Sequence, residues 1–153
     1  MIKTFLILSF IIYLAVESHA ATPVNRPNIS KDGEIVTVHG ESHVMFVGDG
    51  NWIEAAASQM LTAGDTLKTG SRGRMELLFF DGVQIKMHHK TTLLIREIAK
   101  EKKAMTLSLK VGEVWSRAKS TPDGLKVQTH SATAAIRGTD WDIVVDDNGT
   151  SYL

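Results

Sequence analysis

The sequence predicts an all-β fold, antiparallel strands in a solenoid-like or sandwich arrangement with a C-terminal edge that stops short. Three observations carry that reading. Apolar residues recur at every second position in Val83-Gln84-Ile85-Lys86-Met87-His88, Met105-Thr106-Leu107-Ser108-Leu109-Lys110 and Leu125-Lys126-Val127-Gln128-Thr129. A period of two sends one set of side chains to a buried face and the other to water. Glycines at 70, 82, 112, 124, 138 and 149 punctuate these runs near multiples of a dozen residues, a strand-plus-turn spacing too irregular for a strict repeat. Finally, Pro23, Pro27 and Pro122 all fall outside the predicted strands, where a missing N–H would break a ladder.

The N-terminus reads as an export signal. Lys3 is the sole charge before the apolar run Phe5 to Val16, and Glu17-Ser18-His19-Ala20-Ala21 follows. A basic start, an apolar core and small residues at a cleavage point define such a signal, here cut after Ala20. The run falls short of the roughly twenty apolar residues a membrane span needs. Residues 21–32, with two prolines, read as a flexible leader, and residues 33–153 as one β domain. No second apolar run is long enough to span a membrane, so the processed chain is expected to have no stable membrane anchor.

Charge and cysteine content exclude several classes. Lysine plus arginine and aspartate plus glutamate both number 17, and cleavage removes one of each sign, Lys3 and Glu17. The basic excess of a nucleic-acid binder is absent. Cysteine is absent too, which removes disulfides, thiolate metal sites and cysteine nucleophiles. After cleavage about 130 residues remain, enough for one domain with its own core.

Within the body, Trp52-Ile53 reads as a short strand followed by a loop, although the alanines at 55–57 favour helix. Met75 to Phe80 is apolar at nearly every position and reads as a central strand covered on both faces. Asp81-Gly82 lies between two strands and signals a hairpin whose turn needs positive φ. Val111-Gly112-Glu113, Asp123-Gly124 and Asn148-Gly149 read as further turns. Trp141, in phase with Ile143 and Val145, belongs to the core. Trp115 is out of phase with Val114 and is expected at an edge.

Four blocks, in order, resemble the FecR domain, an exported all-β domain of iron-transport signalling regulators and standalone envelope proteins. The first is Gly64-Asp65-Thr66-Leu67-Lys68-Thr69-Gly70, followed by an arginine-containing strand entry at Arg74. The second is Phe79-Phe80-Asp81-Gly82-Val83-Gln84-Ile85, with Val83 in place of the family's usual serine. The third is Leu107-Ser108-Leu109-Lys110-Val111-Gly112-Glu113-Val114-Trp115. The last is Val127-Gln128-Thr129 with Ala135-Ile136-Arg137-Gly138-Thr139-Asp140-Trp141-Asp142-Ile143, where His130 replaces a proline and Trp141 a phenylalanine. The resemblance implies an all-β, solenoid-like domain. Two departures bear on function. Signalling members carry a cytoplasmic anti-sigma segment before a membrane helix, whereas four residues precede the apolar run here, so sigma-factor binding by this chain is not expected. Members also continue into a further strand pair, and Ser151-Tyr152-Leu153 stands where that pair begins, as in a minimal domain or a truncated reading frame.

The motif residues Gly64, Asp65, Thr69, Gly70, Arg74, Asp81, Gly82, Gly112, Val114, Arg137, Gly138, Thr139 and Trp141 are read as architectural. In the triplet Arg137-Gly138-Thr139, the glycine permits re-aiming between strands. The rival reading makes Arg137, with its rigid fork of donors, an anion-binding group. His39 and His43 bracket a turn without a third ligand for a metal. His88 and His89 are expected to face opposite sides of a strand. Asp146-Asp147-Asn148-Gly149 lacks the spacing of a calcium loop and reads as a solvated hairpin tip. Lys100, Lys102 and Lys103 mark a basic tip between strands. No nucleophile elbow, phosphate loop or metal-protease motif occurs. The sequence thus points to a non-enzymatic binding or regulatory module of the envelope, with no cofactor and no metal. Its expected partner is another envelope protein, met through edge strands or loops. The alternative is a structural module bound to peptidoglycan or another glycan, with an exposed tryptophan as a stacking platform.

Overall fold

The computed structural model describes residues 32–79, 82–98, 105–118, 124–136 and 140–153. These form strands β1 (Gly33–His39), β2 (Ser42–Met45), β3 (Trp52–Glu54), β4 (Met60–Leu61), β5 (Thr66–Thr69), β6 (Arg74–Phe79), β7 (Gln84–Met87) and β8 (Thr92–Glu97). They continue with β9 (Met105–Arg117), β10 (Leu125–Gln128), β11 (Thr133–Ile136), β12 (Asp140–Val145) and β13 (Ser151–Tyr152). Among the described residues there is no helix long and apolar enough to cross a membrane.

One strand organises the rest. The first half of β9 pairs with β8 and β10, and its second half with β7 and β12. Two sheets therefore share it. The first runs β4-β1-β6-β7-β9-β12-β13 and the second β3-β2-β5-β8-β9-β10-β11. Among the described residues every pairing is antiparallel except β9 with β10.

Chain length requires β9 to bend. Thirteen residues in a straight strand would span about 40 Å. The connection from Arg117 to Leu125 reaches about 28 Å at most, yet Leu125 pairs with Met105 at the far end of β9. The bend lies at Gly112, where φ is +100°. A Cβ there would overlap Thr91 Oγ1 and Cα, so glycine is required by conformation and by space. The turn expected at Val111-Gly112-Glu113 is thus not a turn. The glycine redirects a continuous strand from one sheet to the other.

The bent sheet closes on one core. Ile35, Leu77 and Ile85 of the first sheet and Leu67, Leu93, Ile95 and Leu107 of the second are wholly buried in the same cluster. The result is a curled, sandwich-like arrangement of the all-β class that the alternation predicts. Val83, Ile85 and Met87 are buried, as the two-residue period requires. Trp52-Ile53 is a strand, and the alanines after it are not helical. β6 lies between β1 and β7 as expected of a central strand. It is covered fully on one face only, because Met75, Leu77 and Phe79 are buried while Glu76 and Leu78 are half-buried. Gly124, with φ +71°, precedes a strand parallel to β9, so it closes no hairpin with β9.

Candidate functional site

At one end of the molecule the chain passes repeatedly between sheets. β1 leads to β2, β5 to β6 and β7 to β8 across that end, and β9 bends there. Backbone hydrogen bonds tie the three connections together. The Gly70 N–H donates to the Glu41 carbonyl at 2.8 Å, and the Lys90 N–H donates to the Gly70 carbonyl at 2.9 Å. Within the middle turn the Gly73 N–H donates to the Gly70 carbonyl at 3.1 Å. A Cβ on Gly73 would strike the Glu41 carbonyl oxygen, so this turn and the β1–β2 turn touch backbone to backbone.

Two buried threonines complete the tie. The Thr91 N–H donates to Thr69 Oγ1 at 2.9 Å, and the Thr69 N–H donates to the Thr91 carbonyl at 2.9 Å. Thr69 Oγ1 in turn donates to the His88 carbonyl. Thr91 Oγ1 accepts from the Glu113 N–H at 3.0 Å, one residue beyond the Gly112 bend. Buried polar groups at such a junction hold the fold only when their partners are supplied. Sequence reading missed Thr91. No alternation in polarity marks it, since Thr92-Leu93-Leu94-Ile95 is apolar at three successive positions.

Asp65 is also bound into the backbone. It is wholly buried, its Oδ1 accepts the Val47 N–H and its Oδ2 the Thr62 N–H, both at 2.9 Å. The neighbouring Gly64, at φ +96°, donates its N–H to the Ile95 carbonyl at 2.7 Å. A carboxylate spent on backbone N–H groups clamps a turn. Gly82, at φ +85°, closes the β6–β7 hairpin by donating to the Phe79 carbonyl at 2.9 Å. Val114 is buried and Trp141 half-buried against the core. Arg74 is exposed at the start of β6. Asp81, the triplet Arg137-Gly138-Thr139, the lysines at 100, 102 and 103, and the predicted signal lie outside the described residues. The strands flanking the triplet belong to different sheets, β11 to the second and β12 to the first.

Other candidates fall as follows. His88 and His89 lie in the connection after β7, not on a strand. His88 Nδ1 is 3.4 Å from Glu113 Oε1. His39 ends β1 in the first sheet and His43 lies on β2 in the second. Among the described residues no three histidine, cysteine, aspartate or glutamate side chains are grouped to hold a metal. Asp146 caps the β12–β13 hairpin, its Oδ1 accepting the N–H groups of Asn148 at 3.0 Å and Thr150 at 2.8 Å.

Trp115 lies on the most central strand, not at an edge, and on the outer face of the first sheet. Lys86 Nζ lies 4.8 Å and Arg117 Cζ 5.1 Å from its ring centroid, so cations already occupy the ring. Arg117 also grips Asp140 through two hydrogen bonds of 2.7 Å, a pair that sequence reading did not single out.

The fold and its polar junctions define an all-β module whose distinctive residues build connections between sheets. The family model described as FecR protein matches residues 65–153, more than half of the chain, and the chain belongs to the FecR family. Domains of this family are non-catalytic regulatory or structural modules, typically exported. No match was found among curated proteins or solved structures.

Proposed function

We propose that the protein is an exported module of the bacterial envelope that grips another envelope protein by accepting one of its strands. In this reading residues 1–20 are a signal cleaved after Ala20, residues 21–32 are a leader, and the body follows. Signalling is one use of such a grip. The observation that carries the reading is the edge formed by β11. It pairs with β10 alone, leaving its other side open among the described residues. Its sequence, Thr133-Ala134-Ala135-Ile136, holds no charge, no proline and no bulky exposed side chain. Soluble proteins usually guard an edge with such features, and an unguarded edge suits strand addition. The test places lysine at the exposed Ala135. Ala135→Lys is expected to reduce capture of the envelope partner at least tenfold while leaving thermal stability unchanged. Equal capture by both proteins would remove β11 from the reading.

A second reading, a glycan-associated structural module, rests on Trp52. Its side chain is 43% exposed on edge strand β3, opposite Met45. Sedimentation with purified peptidoglycan, abolished by Trp52→Ala and kept by Ala135→Lys, would favour it.

A further inference from the structure

The end where the chain crosses between sheets carries an open depression of about 490 Å³ lined by His39, Ser71, Arg72, Arg74 and His89. Every one of these side chains can donate a hydrogen bond, and none carries a negative charge. All five are exposed, and among the described residues neither arginine makes a side-chain hydrogen bond or ion pair. The geometry points to a binding site for a phosphate group, a phosphomonoester carried by a small molecule or a lipid.

The scaffold beneath these donors is fixed. Three connections supply them: His39 from the end of β1, Ser71, Arg72 and Arg74 from the β5–β6 turn and the start of β6, and His89 from the β7–β8 connection. Those are the connections held backbone to backbone through Glu41, Gly70 and Lys90. His39 is the cross-strand neighbour of Arg74. The donors are therefore brought together by the polar junction itself, so little chain ordering remains to oppose binding. The matched block divides accordingly. Thr69 is buried inside the junction, and Arg74 faces outward from it.

Ligand chemistry follows from counting donors. A carboxylate offers two oxygens, which two bidentate guanidinium groups would saturate. Two imidazoles and a hydroxyl would then be left without an acceptor. A phosphomonoester has three terminal oxygens and close to two negative charges, which suits the whole set. Two of the nearby acids already face basic groups of their own. In the adjoining depression, Glu76 lies 4.0 Å from Lys86 Nζ, and Glu113 lies beside His88. Glu41, whose carboxylate lies against Gly70, is the remaining acid beside the turn.

This site is independent of the β11 edge and stands or falls separately. The test titrates the full chain with glucose 1-phosphate, and separately with phosphatidylcholine vesicles with and without phosphatidic acid. Binding of the sugar phosphate assigns a soluble ligand, and binding of the phosphatidic acid vesicles alone assigns a lipid-borne one. Either supports the site if Arg72→Gln with Arg74→Gln weakens binding at least tenfold at unchanged melting temperature. A control pair on the second sheet, Lys110→Gln with Lys126→Gln, is expected to bind as the wild type does. Three results would overturn the proposal: no binding of either probe at millimolar phosphate, equal weakening by both pairs, or equal competition by acetate.

Discussion

The crossover end and the outer face of the first sheet use polar residues in opposite ways. At the crossover end Thr69 and Thr91 are buried, hydrogen-bonded to backbone, and packed where Gly112 has no room for a side chain. On the outer face Lys86, Trp115, Arg117 and Asp140 also touch, but as partly or fully exposed side chains. A buried polar group that loses its partner bears the full desolvation cost, whereas an exposed ion pair is screened and entropically loose. Of the family motif residues, Thr69, Gly70 and Gly112 lie in the first region, whereas Asp65 and Gly82 serve other turns. There Thr69 and Gly70 tie the connections between sheets together, and exposed donors stand beside them.

The sharpest way to break this contrast is Gly112→Val. A side chain there meets Thr91 and demands positive φ, a combined cost of about 4 kcal/mol from strain and overpacking. Against a typical total of about 5–15 kcal/mol, the urea midpoint should fall sharply. Urea denaturation followed by circular dichroism reads the loss. Near-wild-type stability would mean that β9 bends without this glycine.

Asp65→Ala comes next. It strands the buried Thr62 N–H and leaves the part-buried Val47 N–H without its carboxylate, and about 3 kcal/mol should be lost. Thr91→Val keeps the shape and removes the hydroxyl that the Glu113 N–H needs, for a loss of about 2 kcal/mol. The same urea experiment ranks the three substitutions. A Thr91 effect larger than that of Asp65 would place the molecule's most sensitive polar junction at the crossover end.

Much of the strand pattern was legible, because burial on one face imposes a period that local sequence cannot hide. Val83, Ile85 and Met87 show it, as does the Gly82 hairpin. Other features depend on partners distant in sequence. A positive-φ glycine looks the same whether the chain reverses, as at Gly149, or bends and continues, as at Gly112. Phase assigned Trp115 to a face opposite Val114 but said nothing of its rank within the sheet. Thr106 and Ser108 alternate like solvent-facing residues yet are each only 6% exposed. Long neighbours such as Arg96, Lys126 and Gln128 stand around them, and Thr106 Oγ1 lies 3.5 Å from Glu97 Oε2. The depression beside Ser71 and Arg72 was illegible for the same reason: its five donors come from three connections that only the folded sheets bring together.

The smallest effect expected is on the outer face. The two hydrogen bonds from Arg117 hold the Asp140 carboxyl below its ordinary pKa, and its attraction to the guanidinium adds to this. A depressed carboxylate stabilises the fold above its unfolded pKa, and the contribution disappears as pH falls through the lower, folded value. Arg117→Gln should therefore move the Asp140 titration upward, seen by carbon-detected NMR of its carboxyl. The melting temperature at neutral pH should hardly change, because both partners are exposed and solvent screens the pair. A large loss at neutral pH would instead implicate the stacking of Arg117 on Trp115, and the outer face would then join the crossover end as a region that holds the sheets in place.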